Sequence, residues 1–185
     1  LFELCVEENE AVVTQVTQKP KSKWKPLPLS TVELQMRMSR FHRMGSEVTM
    51  KVAESLYQRG LISYPRTETA FFDATFDLRD MVDKQRNHPT WGGFATNLLD
   101  NDGFARPRAG SNNDQAHPPI HPTGFATPGQ FQSGNERKVY EFVVRHFLAC
   151  CSKDAVGSES VVVAQIAGED FTAKGLQVLE RNYLE

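Results

Sequence analysis

The sequence predicts an α+β fold in which a mainly helical middle, about residues 25–151, is inserted between two β-rich segments, residues 1–24 and 152–185. Three observations carry that reading. Strand-like runs open the chain, capped amphipathic helical stretches fill its middle, and a hairpin pattern closes it. A length of 185 residues suffices for one good core, or for a domain and part of another.

Composition is that of an ordinary globular chain, with 39% hydrophobic and 24% charged residues. No apolar run approaches membrane-spanning length and no signal peptide is visible, so no membrane partner is expected. Of three cysteines, Cys150 and Cys151 are adjacent on one helical stretch. That is no disulfide framework, and it points to a reducing, intracellular setting. The chain opens on Leu1 inside a strand-like run, as a piece of a longer protein would. The net charge of −2 hides an asymmetry: residues 19–66 hold ten Lys or Arg against three acids, Glu33, Glu47 and Glu54. A local basic excess favours an anionic partner over a merely solvated linker.

In chain order, Leu1–Val6 and Val12–Thr17 read as β runs flanking Glu7–Glu10, and Lys19–Pro28 reads as a boundary or crossing linker. Ser30 and Glu33 form a capping-box pattern opening a helix whose buried side takes in Val32, Leu34, Met38 and Phe41. Arg37, Arg40 and Arg43 form a drifting basic stripe on it. Gly45 breaks the pattern, and Ser46 caps a second helix to about Arg59, with Val48, Val52 and Leu56 inward and Glu47 paired to Lys51 outside. Helix, short turn and helix give helix-turn-helix, CAP- or winged-helix-like character, a pattern shared with plain helical hairpins. Helices are expected over 77–85 and 90–99, with Phe71 and Phe72 as anchors. Asp100-Asn-Asp102 precedes Gly103 and reads as a loop rather than a magnesium site. Ser133 and Glu136 open a long helix to Cys151 with Val139, Phe142, Val143 and Phe147 inside. Ser158–Ile166 and Phe171–Gly175 read as a hairpin turning at Gly168–Asp170, with a further strand at Leu176–Leu179.

The chemistry concentrates at Gly60-Leu-Ile-Ser-Tyr-Pro-Arg-Thr-Glu-Thr69. Gly60 can end the second helix in the left-handed conformation. Pro65 stiffens the chain and keeps Tyr64 extended. Period-two alternation puts Tyr64 and Arg66 on one side. A phenol beside a guanidinium suits a phosphodiester: the phenolate can attack phosphorus while the planar fork holds its oxygens. The competing reading is a tyrosine that simply packs. Downstream, Ala116-His-Pro-Pro-Ile-His-Pro122 is too rich in proline for a helix and should be a rigid loop presenting His117 beside a phosphate. Zinc ligation by His117 and His121 is disfavoured by the lost helical spacing and the lack of a nearby cysteine.

The string Leu61–Thr69 resembles the active-site tyrosine motif of type IA DNA topoisomerases, and Asp114-Gln-Ala-His-Pro-Pro-Ile-His-Pro-Thr123 resembles that family's second signature. Arg145–Cys151 is similar to the eukaryotic topoisomerase III-alpha branch, and the resemblance covers almost the whole chain. It implies a catalytic-tyrosine domain inserted between halves of a β-rich gate, or arch, domain. By it, Tyr64 is the nucleophile that forms a 5′-phosphotyrosine bond with single-stranded DNA, Arg66 holds the scissile phosphate and His117 contacts the phosphate region. Glu68 is a candidate for proton transfer or support, and Arg37, Arg40, Arg43, Lys51 and Thr67 are candidates for DNA binding. The resemblance further implies ATP-independent strand passage, relaxation of negative supercoils, and decatenation or dissolution of recombination intermediates. Mg²⁺ is expected on a separate Toprim domain, with no metal ligand in these residues, so the 185 residues alone should be inactive. A RecQ-family helicase and an OB-fold partner of the RMI type are the implied partners, and the location nuclear, a mitochondrial form being compatible.

Rival chemistries fit less well. A rolling-circle nuclease needs two histidines one residue apart, and a tyrosine recombinase needs its Arg…His-x-x-Arg set upstream of a late tyrosine. A non-catalytic helix-turn-helix or scaffold module, with Tyr64 merely packed, is the alternative.

Overall fold

The computed structural model describes residues 1–8 and 10–185. Asn9, within the acidic separator, lies outside them. The chain divides into two compact units: Leu1–Trp24 with Asp154–Leu184, and Lys25–Lys153, with which Glu185 groups.

The first unit is built on a three-stranded antiparallel sheet, β1 (Val12–Lys23), β2 (Ala155–Ile166) and β3 (Glu169–Glu180), in that order. Its central strand pairs Val12 with Gln165 at one end of β1 and Lys23 with Ala155 at the other. The Lys/Pro segment expected to be a linker is therefore strand as far as Lys23. Pro20, opposite Ser158, is tolerated because β1 is an edge strand that bonds on one side only. The β2–β3 turn is Ala167–Gly168, both with positive φ (51° and 79°), a type I′ geometry that matches strand twist. It lies one residue earlier than expected, and β3 runs unbroken through Leu176–Leu179. Leu1–Val6, expected as strand, is instead α1 (Phe2–Glu8). Its backbone closes on itself, beginning with Cys5 N–H to Leu1 O at 3.0 Å.

The second unit holds the core. Helices α2 (Thr31–His42) and α3 (Ser46–Gln58) are joined by a three-residue turn, followed by α4 (Leu78–Asp83), α5 (Gly92–Asp100) and the long α6 (Gly134–Cys150). Ser30 and Ser133 cap α2 and α6 by accepting from the N–H of Glu33 and Glu136. Neither glutamate completes a capping box. Glu33 turns to Arg37 at 2.7 Å. Glu136, almost fully buried, takes Ser55 Oγ at 2.8 Å, Arg59 Nη1 at 2.6 Å and the Gln132 N–H at 2.8 Å. Ser46 is the first residue of α3 rather than its cap, which is Gly45.

The buried faces are rotated from the sequence expectation. On α2 only Leu34 and Met38 are inside, while Val32 and Phe41 are 61% and 56% exposed. On α3, Thr49, Met50, Ala53 and Leu56 are inside and Val48 is outside. The Thr49 hydroxyl, which donates to Gly45 O at 3.0 Å, makes that position burial-compatible. Against these pack Leu78, Val82, Trp91, Ala95 and Leu98, and the inward residues Val139, Tyr140, Val143, Val144 and Phe147 of α6. Lys25 is buried too: its ammonium donates to Ala105 O, Arg106 O and Ser152 O at 2.9, 2.9 and 2.7 Å. The cost of burying that charge is offset by three carbonyl dipoles. No helix of the described residues is long and apolar enough to cross a membrane.

Candidate active site

The segment after α3 is shaped by its first residue. Gly60 has φ +72°, with Gly60 N–H on Tyr57 O (2.8 Å) and Leu61 N–H on Leu56 O (3.0 Å), the paired bonds of a Schellman motif. The chain then leaves extended, bonded on one side to the start of α2 and on the other to the proline-rich loop. On one side, Thr31 N–H donates to Thr67 O (3.0 Å), Thr67 N–H donates to Thr31 Oγ1 (2.8 Å), and that hydroxyl donates to Pro65 O (2.8 Å). On the other, Ser63 N–H meets His121 O (2.9 Å), and His121 N–H meets Ser63 Oγ (3.0 Å). Clamped on both edges, residues 63–69 alternate strictly: Ser63, Pro65, Thr67 and Thr69 are buried, Arg66 and Glu68 are exposed, and Tyr64 is half-buried. Tyr64 and Arg66 thus share the open side.

The Tyr64 ring lies 4.5 Å, centroid to centroid, from the His117 ring and 5.4 Å from Tyr57, which meets it edge-on. Arg66 is engaged by Glu54 of α3: its Nε donates to Oε1 at 2.8 Å and Nη2 donates to the same oxygen. His117 rides on a loop organised by Asp114. One carboxylate oxygen, Oδ1, accepts from Ala116 N–H (2.9 Å), His117 N–H (2.8 Å) and the Thr69 hydroxyl (3.0 Å). The backbone N–H groups of His117 and Ala116 hold the Asp114 carboxyl far below the usual carboxylate range. Its other oxygen stands 3.6 Å from His117 Nδ1.

The two histidines of the proline-rich loop part company. His117 is exposed, whereas His121 is 3% exposed, edge-on to Phe72 and Phe76, and bonded through Nδ1 to Pro119 O at 2.7 Å. Burial pushes the His121 pKa down, so it is a neutral core group.

The remaining sequence candidates lie on α2, α3 and the Tyr64 segment. Arg37 is tied to Glu33, and Arg37 and Arg40 both lie over the exposed Phe41 ring, 5.9 and 5.8 Å from its centroid. Arg43 is exposed and closes α2 in the left-handed region at φ 52°. Lys51 pairs with Glu47 at the surface, 2.8 Å apart. Thr67 is a correction: at 3% exposure, with its hydroxyl donating to His117 O (3.4 Å), it links the two motif segments and offers nothing to a ligand. Glu68 is exposed on the Tyr64 side.

Sequence reasoning missed Glu54, Tyr57, Thr31, Ser63 and the role of Asp114. Only Asp114 carried a signal, since an Asx residue ahead of a proline-rich run invites a side-chain-to-backbone turn. Among the described residues no group of three or more His, Cys, Asp or Glu side chains is arranged to hold a metal ion. Three of the acids are taken up by other partners. Asp100 is bidentate with Arg86 (2.8 and 2.8 Å), Asp102 faces Lys153 (3.2 Å), and Asp114 is saturated on Oδ1.

A family model described as DNA topoisomerase matches residues 1–185. The chain is 51% identical over 185 residues to DNA topoisomerase 3-alpha of Homo sapiens, covering 100% of this chain and 18% of that protein. It is 53% identical over 184 residues to DNA topoisomerase 3-alpha of Drosophila melanogaster (98% and 14%). Against DNA topoisomerase 3 of Saccharomyces cerevisiae it is 45% identical over 200 residues (100% and 30%). The solved full-length topoisomerase I of Thermotoga maritima superposes with a TM-score of 0.74 at 21% identity, covering 98% of this chain and 30% of that one. The chain therefore spans less than a third of each of these relatives.

Proposed function

The chain belongs to the type IA DNA topoisomerases, and we propose that it is the part of such an enzyme that carries the nucleophile for transient cleavage of single-stranded DNA. What supports this most is one arrangement: Tyr64 on a segment clamped at both edges, sharing its open side with Arg66 and its ring face with His117. On this reading the Tyr64 phenol gives its proton to solvent, which later returns one to the leaving oxygen, and the phenolate oxygen attacks phosphorus. The P–O3′ bond breaks, and the departing 3′ oxygen takes up a proton. The phosphotyrosine ester conserves the energy of the broken linkage, so the 3′-hydroxyl reverses the step without ATP. Arg66 neutralises the charge that builds on the non-bridging oxygens. Its Glu54 partner uses the Nε edge, which leaves the rest of the fork for phosphate. His117 contacts the same phosphate, and Glu68 stands in reach as support. Arg40 and Arg43, exposed at the end of α2, with Arg37 and Lys51, extend the basic track for the strand.

Mg²⁺ would supply charge stabilisation from acids of a separate Toprim domain, since no three His, Cys, Asp or Glu side chains among the described residues are grouped to hold a metal ion. In the longer protein the reaction serves strand passage, relaxation of negative supercoils and decatenation or dissolution of recombination intermediates. A RecQ-family helicase and an OB-fold protein of the RMI type are the proposed partners, in the nucleus and compatibly in mitochondria. The test is Tyr64→Phe in the longer protein. Only one oxygen leaves a ring that still packs on Tyr57 and His117, so single-strand affinity should persist while the covalent adduct vanishes. An adduct that survives the substitution removes Tyr64 from the mechanism and restores the packed-tyrosine reading.

A further inference from the structure

We propose that Asp114 is the positioning residue of His117, clipping its loop to the Tyr64 segment and setting which ring nitrogen bears the proton. The clip is reciprocal: Thr69 Oγ1 donates to Asp114 Oδ1 at 3.0 Å, and Asp114 N–H donates back to Thr69 Oγ1 at 3.1 Å. Thr69 is buried on the same alternating segment that carries Tyr64. A second tie, Thr67 Oγ1 to His117 O at 3.4 Å, fastens the far end of the loop. Between them Gln115 is held at φ 58°, a left-handed conformation that a glutamine adopts only when its surroundings dictate it. With the backbone of 114–117 tied at both ends, the histidine ring rests against Tyr64, 4.5 Å between centroids.

Asp114 Oδ1 is consumed by this clip, and Oδ2 is left facing Nδ1 of His117 at 3.6 Å. That is longer than a hydrogen bond, yet close enough for a carboxylate to repel a lone pair and attract an N–H. The neutral ring therefore carries its proton on Nδ1, and Nε2 is the nitrogen left to exchange a proton with a ligand. Resting on the function proposed above, an arriving phosphate is met by Nε2, which takes a proton from solvent and donates it as a hydrogen bond while Nδ1–H stays facing Asp114 Oδ2.

Two measurements decide this. Long-range proton–nitrogen NMR of the neutral His117 ring in this chain should report Nδ1–H; a dominant Nε2–H form overturns the proposal without any variant. Asp114→Asn keeps a carbonyl oxygen for the backbone N–H bonds but replaces the facing carboxylate oxygen with a donor. The ring should switch to Nε2–H while the rest of the spectrum is unmoved, and an unswitched ring overturns the proposal. In the longer protein Asp114→Asn should slow adduct formation by about tenfold. Added to His117→Ala it should cost less than about a further twofold, because it acts through that ring; full additivity overturns the proposal. Should Tyr64→Phe still form adduct, the functional reading falls, and the tautomer result stands by itself.

Discussion

Residues 63–69 alternate between buried and exposed, and that alternation decides which side chains can meet a ligand. Tyr64, Arg66 and Glu68 face outward, and Ser63, Thr67 and Thr69 tie the segment to its neighbours. Arg66 is 57% exposed with Glu54 at 37%, so their ion pair contributes no more than about 1 kcal/mol to the fold. On the proposed function its value lies in charge stabilisation. Arg66→Ala should lower the single-turnover rate of adduct formation by about 10²–10³ with the melting temperature almost unchanged. Arg66→Lys should rescue poorly, since an ammonium lacks the planar fork. A wild-type rate in the alanine variant would show the site to be placed wrongly. Tyr64, Arg66 and His117 were legible as candidates because the motif strings single them out, and the fold brings Tyr64 and His117 into ring contact. Thr67 was misjudged although the period-two rule that puts Tyr64 and Arg66 on one side puts Thr67 on the other. Glu54 and Tyr57 were invisible: they reach the site from another element.

Between elements, α3 and α6 are joined by a charge buried with its partners in place. Glu136 accepts from Ser55, Arg59 and the Gln132 N–H, and Arg59 Nη2 donates onward to Gln130 O at 2.6 Å. The α3 helix that ends at Arg59 is the one that launches the Tyr64 segment, so this cluster sets where that segment begins. Glu136→Ala leaves Arg59 and Ser55 without their acceptor and should destabilise the chain by about 3 kcal/mol in urea unfolding. Lys51→Ala, which breaks a fully solvated pair on the same helix, should cost no more than about 0.5 kcal/mol. Equal effects would refute the burial argument. The starts of α2 and α6 were readable from Ser30 and Ser133. The faces were not: Val48 and Phe41 satisfy helical spacing as well as Thr49 and Met38 do, and only the packing partners choose between them.

Over the whole molecule, the apolar core lies within Lys25–Lys153, while β1 and β3 bury no residue. Asp100, Asp102 and Asp114 are committed to Arg86, to Lys153, and to Thr69 and backbone N–H groups. The 185-residue chain, incubated with end-labelled single-stranded DNA and Mg²⁺, should accordingly bind weakly and in a salt-sensitive way, through Arg40 and Arg43 among others. It should form no covalent adduct, because on the proposed function Arg66 and His117 need the Toprim acids and their Mg²⁺ to complete the site, and misplacement of a phosphate by about an ångström already costs roughly a hundredfold. Label on the denatured protein would overturn that and direct the search for metal ligands to Asp100 and Asp102.

Local chemistry settled in advance whatever depends on neighbours in the chain. Gly60 ends a helix, Pro65 stiffens the step after Tyr64, prolines 118, 119 and 122 forbid a helix around His117, and serines open α2 and α6. Leu1–Val6 shows the limit of that reasoning. Expected as a β-like run, it would need a partner strand for its backbone, and the backbone instead bonds to itself as α1. Lys25 shows it again: nothing local says that its ammonium will find three carbonyls from residues 105, 106 and 152. Whether Glu33 caps or pairs, whether Val48 or Thr49 is buried, and which carboxylate faces His117 all depend on atoms brought together from distant parts of the chain. Spacing records which groups can be neighbours along one element; only the packed fold decides which groups satisfy one another across elements.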